Sequence, residues 1–220
     1  MTSPRQFDLI AFDWDGTLFD STALITRCIQ AACADLGVRV PTDAQASYVI
    51  GMGLAEALQH AAPELPAERY RELGARYRHH YLAREHEIVF FDGTLAMLEA
   101  LKARGHRIAV ATGKSRRGLD DALRSSALQG LFDATRTADE TASKPDPRML
   151  LELMDEMSVA PGRTLMIGDT THDLQLGLNA GAAVLAVSYG AHERDAFAAH
   201  APLEVLHSTV ELHDWLLAHG

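Results

Sequence analysis

The sequence predicts an α/β protein whose parallel-sheet core is interrupted by a helical insertion. Three observations carry that reading. Short apolar, β-branched runs recur at residues 9–13, 107–112, 164–169 and 183–188, with weaker ones at 134–137 and 204–206. Amphipathic stretches at 94–104, 116–126, 147–157 and 173–179 lie between them. Such alternation predicts parallel strands joined by helical crossovers, a Rossmann-like winding. The third observation is a break in the rhythm. From about residue 20 to 87 the pattern is helical with almost no strand signal, and Pro41, Pro63 and Pro66 divide it into helices near 22–36, 42–50, 54–62 and 67–84. The expected organisation is a core of residues 1–19 and 88–220 with residues 20–87 inserted as a helical cap.

Bulk properties narrow the function. The 220 residues suffice for one full domain plus a modest insertion. A net charge of -10 argues against nucleic-acid and membrane-surface partners, which need a basic face. Any anionic substrate must then be attracted by local cations rather than by the global field. Cys28 and Cys33, five apart in an expected helix, do not face each other, which points to a reducing compartment. With no spanning apolar stretch and no leader pattern at the start of the chain, the cytoplasm is the expected location.

In doubly wound sheets, ligands bind beyond the carboxyl ends of the strands. The residues that end the expected strands should therefore converge: Asp13 and Asp15 after the first, Thr112, Gly113 and Lys114 after the second, Gly168 and Asp169 after a later one. Ser143-Lys144-Pro145 joins them if it follows the weak strand at 134–137. Asp13 and Asp15, one residue apart at a strand tip, repel each other unless a cation or a proton intervenes. An oxygen-loving metal is one solution and suits phosphoryl chemistry. A strand followed by an ordinary Asp-Gly turn is the alternative. Pro145 restricts Lys144 to an extended backbone.

With these four segments in hand, the chain resembles the haloacid dehalogenase-like hydrolase superfamily, and more narrowly its phosphoglycolate-phosphatase-like branch with a helical cap. Asp13, Asp15 and Thr17 match the first motif, Asp-x-Asp-x-Thr; Thr112 matches the second; Lys144 the third; and Gly168-Asp169 with Asp173 the fourth, Gly-Asp-x-x-x-Asp. The resemblance implies a Mg2+-dependent hydrolase of small phosphate monoesters. In it Asp13 attacks phosphorus and forms an aspartyl-phosphate, and Asp15 is the general acid and base. Mg2+ is held by the Asp13 carboxylate, the Asp15 carbonyl and the Asp169 carboxylate, with Asp173 behind them. Thr112 and Gly113 bind phosphate, and Lys144 offsets the charge of Asp13 and phosphate. Lys114 is placed either on phosphate or at the surface. A β-phosphoglucomutase-like phosphotransferase uses the same two acids, and a non-catalytic phosphate-binding regulatory domain is the reading from another class. The expected partner is a small phosphorylated metabolite.

Other features read as structural. Phe91-Asp92-Gly93-Thr94 repeats Asp-Gly-Thr, but Phe90 stands where an attacking acid is needed, so a turn is expected. Gly51-Met52-Gly53 is a break between insertion helices that overhangs the site. His79, His80 and His86 lack a zinc constellation and are expected in solvent. His172 has no assigned role. Residues 69–84, with mixed charges, are expected to form an exposed face.

Overall fold

The computed structural model describes residues 5–220 except 126 and 129. Strands β1 (Leu9–Phe12), β4 (Arg107–Thr112), β5 (Ala134–Thr137), β6 (Thr164–Gly168), β7 (Ala183–Val187) and β8 (Val205–Leu206) form one sheet in the order β5-β4-β1-β6-β7-β8, every pair parallel. These are the six expected strands. β1 lies between β4 and β6, with Phe12 level with Val110 and Ile167, so the residues that follow β1 lie beside the last residues of β4 and β6.

Period-2 alternation decides which face each residue serves. Ile10, Phe12, Ile108, Val110, Leu165, Ile167, Leu185 and Val187 point to one face, which is packed by α5 (Thr94–Ala103), α6 (Arg116–Ser125) and α9 (Thr209–His219). Leu9, Ala11, Ala109, Ala111, Met166, Val184 and Ala186 point to the other, under α7 (Arg148–Met157) and α8 (Thr171–Asn179). Both faces are covered, which is why the strands read as continuous apolar runs. α9 and a 3-10 segment, Arg194–His200, were not among the expected elements.

The insertion contains α1 (Thr22–Asp35), α2 (Asp43–Tyr48), α3 (Leu54–Ala61) and α4 (Tyr70–Arg84), the last preceded by a 3-10 turn, Ala67–Arg69. Its helices share an apolar cluster separate from those of the sheet, including Ile25, Ile29, Cys33, Val49, Leu58 and Leu73. Cys28 and Cys33 are buried free thiols. The insertion leaves and rejoins the sheet through a ribbon that the sequence did not suggest. There β2 (Phe19–Asp20) pairs antiparallel with β3 (Val89–Phe90). Two-residue strands carry no readable period. Stacking clamps the ribbon, because Phe19 lies 4.6 Å from the Trp14 ring and 4.3 Å from Phe90. Residues 91–94 are the expected turn into α5, with Gly93 left-handed at φ 84. No helix among the described residues is long and apolar enough to cross a membrane.

Candidate active site

The tips of β1, β4 and β6 bring the expected residues to one place. Asp13 continues β1, its N–H donating to the Ile167 carbonyl at 2.9 Å, and its side chain is buried. Asp169 follows β6 and Asp173 lies in the first turn of α8; both are fully buried. Asp13, Asp169 and Asp173 each offer a carboxylate oxygen within 4.8 Å of the others. Lys144, 1% exposed, donates to Asp13 Oδ1 at 2.5 Å and to Asp173 Oδ1 at 2.6 Å. It is the cation that lets these acids share one pocket. Its neighbour in the sequence, Pro145, follows a cis peptide bond.

Each acid has a distinct setting. Asp169 accepts from Thr17 Oγ1 at 2.8 Å through Oδ1 and from the Ala191 N–H at 2.7 Å through Oδ2. Asp173 closes a capping box with Thr170: its Oδ2 accepts from the Thr170 N–H at 3.0 Å and the Thr170 hydroxyl at 2.6 Å. It is thus both the early-helix acid that the dipole favours and the partner of Lys144. Gly16 is fixed by crowding as well as by backbone. It sits at φ 91, and a Cβ there would run into the Asp169 carboxylate.

Burial pushes Asp13 well above the usual carboxylate range, against the pull of Lys144 and with the push of Asp173 and Asp169. Burial, with the charge of Asp173, pushes Asp169 up to about 7. Burial would draw Lys144 down, but Asp13 and Asp173 hold it above the ordinary lysine range. The acids exceed the one ammonium that compensates them. Asp13 Oδ2 is buried and has no hydrogen-bond partner. A donor set made only of oxygens, one of them buried and unpartnered, fits a hard divalent cation and not zinc.

Asp15 sits apart from that cluster. Ser21 Oγ donates to its Oδ1 at 2.8 Å, and Lys114 Nζ donates to Oδ1 at 3.1 Å and Oδ2 at 3.0 Å. Lys114 also donates to the Tyr81 hydroxyl at 2.8 Å. Lys114 does not lie at the surface: its side chain is only 13% exposed, and its partners are an acid of the sheet side and a phenol of α4. Tyr81, which sequence reasoning missed, and Tyr77 one turn earlier stack at 5.9 Å and turn inward from a helix whose other residues are mostly exposed. Thr112 Oγ1 accepts from the Lys114 N–H at 3.2 Å, and α6 starts three residues after Gly113.

The 51–53 loop lies on these strand tips. The Gly53 N–H donates to Ser143 Oγ at 2.8 Å, and Gly113 has room for nothing larger because the Gly51 and Met52 carbonyls stand over it. A second contact between insertion and sheet side is built from histidines. His172 Nε2 and His192 Nε2 both donate to the Tyr48 carbonyl, at 2.8 and 3.0 Å. His192 Nδ1 accepts from the Thr171 N–H at 3.0 Å, which fixes its neutral tautomer. Burial holds both histidines below the ordinary range. His80 pairs with Asp35 at 2.8 Å.

An α/β core that gathers an acid pair, a hydroxyl, a buried lysine and a further acid at its strand tips has the layout of an enzyme site. The chain belongs to the haloacid dehalogenase-like hydrolase family, whose model matches residues 10–187. It is 32% identical over 191 residues to a phosphoglycolate phosphatase of Aliivibrio fischeri, covering 83% of this chain and 84% of that protein. It is also 32% identical over 221 residues to a 5'-nucleotidase of Pseudomonas aeruginosa, covering 96% of each. In fold it is similar to a hydrolase of Pseudomonas syringae, with a TM-score of 0.86 at 21% identity over 95% of this chain and 97% of that one.

Proposed function

We propose that this phosphatase hydrolyses small phosphate monoesters with Mg2+ through an aspartyl-phosphate on Asp13. The observation that carries the reading is Asp13 itself: Lys144 holds one oxygen, and the other is buried, unpartnered and beside two further acids. In the first step an Asp13 oxygen bonds to phosphorus as the ester oxygen leaves with a proton from Asp15. In the second, water bonds to phosphorus, Asp15 takes the water's proton, and the aspartyl P–O bond breaks to release inorganic phosphate and restore Asp13. Thr112 and the Gly113 amide hold the phosphoryl oxygens, and Lys144 offsets the charge that accumulates when an anion approaches an anion. The Asp13 carboxylate, the Asp15 carbonyl and the Asp169 carboxylate would hold Mg2+, with Asp173 fixing Lys144 behind them. When bound, the ion would withdraw charge from the phosphoryl group.

Residues 20–87 serve as the cap and residues 1–19 and 88–220 as the catalytic core, acting in the cytoplasm. The separate apolar cluster of the insertion and the paired ribbon at its base support that division. The 51–53 loop stands over Gly113, and a loop closed over the strand tips in this way favours small leaving groups over phosphoproteins or nucleic-acid ends. The names of the relatives at 32% identity, a phosphoglycolate phosphatase and a 5'-nucleotidase, set the range of esters to try first. The test is phosphate release from a panel of small monoesters. Chelator should abolish it, Mg2+ should restore it, and Ca2+ should support little, because its larger and looser shell misplaces the attacking oxygen. Full turnover in chelator with no residual metal refutes the proposal.

A further inference from the structure

Asp169 is gripped by a loop that none of the proposed chemistry uses. Residues 189–192 follow β7, and each of them meets Asp169 or a residue that touches it. The Tyr189 hydroxyl donates to the Thr17 carbonyl at 3.1 Å, and the Thr17 hydroxyl holds Asp169 Oδ1. Gly190 presses on the carboxylate itself: a Cβ there would run into Asp169 Cγ and Oδ2. Its φ lies outside the left-handed region, so crowding rather than backbone conformation excludes a side chain. The Ala191 N–H donates to Asp169 Oδ2 at 2.7 Å, and the His192 N–H donates to the Asp169 carbonyl at 3.2 Å. A carboxylate bonded at both oxygens cannot turn about its Cβ–Cγ bond without losing one partner. Such outer contacts commonly set how well a carboxylate serves a metal.

The same loop reaches the insertion. His192 Nε2 donates to the carbonyl of Tyr48, the last residue of α2, and the two rings stack at 5.3 Å with 6° between their planes. His192 is buried, and the Thr171 N–H holds its other ring nitrogen. Tyr189 meets Phe91 edge-on at 4.7 Å, where the chain returns from the insertion. One residue therefore bonds Asp169 through its N–H and the insertion through its ring, with only its own side-chain torsions between the two contacts. Lifting Tyr48 away strips His192 of an acceptor and uncovers its ring, which loosens the loop that fixes Asp169. His172, from α8, donates to the same carbonyl, so loss of the His192 contact weakens the seat of the insertion without abolishing it.

Resting on the Mg2+ reading above, we propose that residues 189–192 are a positioning segment that sets the Asp169 carboxylate for the metal and makes that setting depend on the insertion being seated at Tyr48. His192 is the joint between the two and acts through Asp169. Binding free energies are reciprocal: whatever factor the seated insertion adds to Mg2+ affinity, bound Mg2+ adds to the seating. The 189–192 loop thereby gives the metal a means of steadying the insertion from the sheet side.

The experiment measures the Mg2+ Kd by titration calorimetry on the metal-stripped protein, for wild type, His192→Asn, His192→Gln and His80→Asn. Asparagine places an oxygen where Nδ1 stands, keeping the partner of the Thr171 N–H, but does not reach Tyr48. Glutamine places an N–H where Nε2 stands and keeps the Tyr48 contact. His80 pairs with Asp35 inside the insertion and serves as the control for general loosening. His192→Asn should weaken Mg2+ binding by roughly 3- to 10-fold, the worth of one hydrogen bond between neutral groups. His192→Gln should return the Kd to within about twofold of wild type, and His80→Asn should leave it there. A second reading needs no variant. The Gly53 N–H bonds Ser143 across the same boundary, so saturating Mg2+ should slow its exchange several-fold relative to chelator. An unchanged Kd in His192→Asn, equal weakening in His192→Gln or His80→Asn, or Gly53 exchange indifferent to Mg2+ overturns the inference, while Mg2+ binding and aryl phosphate hydrolysis by the wild type leave the phosphatase reading intact. Absence of Mg2+ binding in the wild-type protein refutes both.

Discussion

Gly113→Ala tests whether the 51–53 loop stays on the strand tips during turnover. Gly113 lies outside the left-handed region, so alanine meets no backbone penalty, and the whole effect comes from contact. The added Cβ would stand 2.6 Å from the Gly51 carbonyl oxygen and closer still to that of Met52, where real Cβ atoms keep beyond 3.0 Å. Both obstacles are backbone atoms, which cannot rotate away. The loop must therefore lift, and the Gly53 N–H loses Ser143. Overpacking of this kind costs about 1–3 kcal/mol, charged here to the closed arrangement alone, so its population should fall by roughly 5- to 150-fold. The assay pairs kcat/KM on a small monoester with hydrogen exchange at the Gly53 amide. Activity should fall within that range, the Gly53 amide should exchange faster, and the thermal midpoint of the sheet should move little. Activity within about twofold of wild type, with Gly53 still protected, refutes the reasoning.

Three further outcomes follow from the buried polar groups. Lys144→Met leaves Asp13 and Asp173 without their shared cation and should destabilise the metal-free protein by about 3–5 kcal/mol in urea unfolding; a loss below about 1 kcal/mol contradicts the pairing. Asp169 sits at about 7 against an ordinary carboxylate near 3.8, so its raised value favours the folded state most below pH 3.8 and that advantage is lost as pH rises through 7. Stabilisation by Mg2+, which needs the ionised acids, should accordingly grow between pH 5.5 and 8, read as a widening gap in thermal midpoint between Mg2+ and chelator; a gap that narrows with pH contradicts it. His192→Ala removes the acceptor of the Thr171 N–H and one of two donors on the Tyr48 carbonyl, and should cost about 1–3 kcal/mol; an unchanged midpoint removes His192 from the contact.

The strands and the acids were legible for one reason. Residues such as Ile10, Phe12, Ile108 and Val110 are apolar because both sheet faces are covered, and Asp13, Thr112 and Asp169 stand out because each ends such a run. The β2–β3 ribbon was not legible, since two residues per strand carry no period. Tyr81 was hidden because α4 carries charged residues around most of its circumference; the four-residue spacing of Tyr77 and Tyr81 was the one available sign of an inward stripe. The pairing of Lys114 with Asp15 spans 99 positions, so no local pattern encodes it. His192 is an isolated loop histidine in the sequence; only folding brings it to His172 and Tyr48.

The most direct test of the central claim is to look for phosphate on Asp13. Asp15→Asn removes the base that activates water, so the intermediate should accumulate when this variant is mixed with an activated aryl phosphate in Mg2+. Acid quench followed by peptide mass spectrometry should find one added phosphate on the peptide that contains Asp13, and Asp13→Asn should show neither the adduct nor turnover while remaining folded. Continued turnover with Asp13 unmodified, or activity near wild type in Asp13→Asn, contradicts the account.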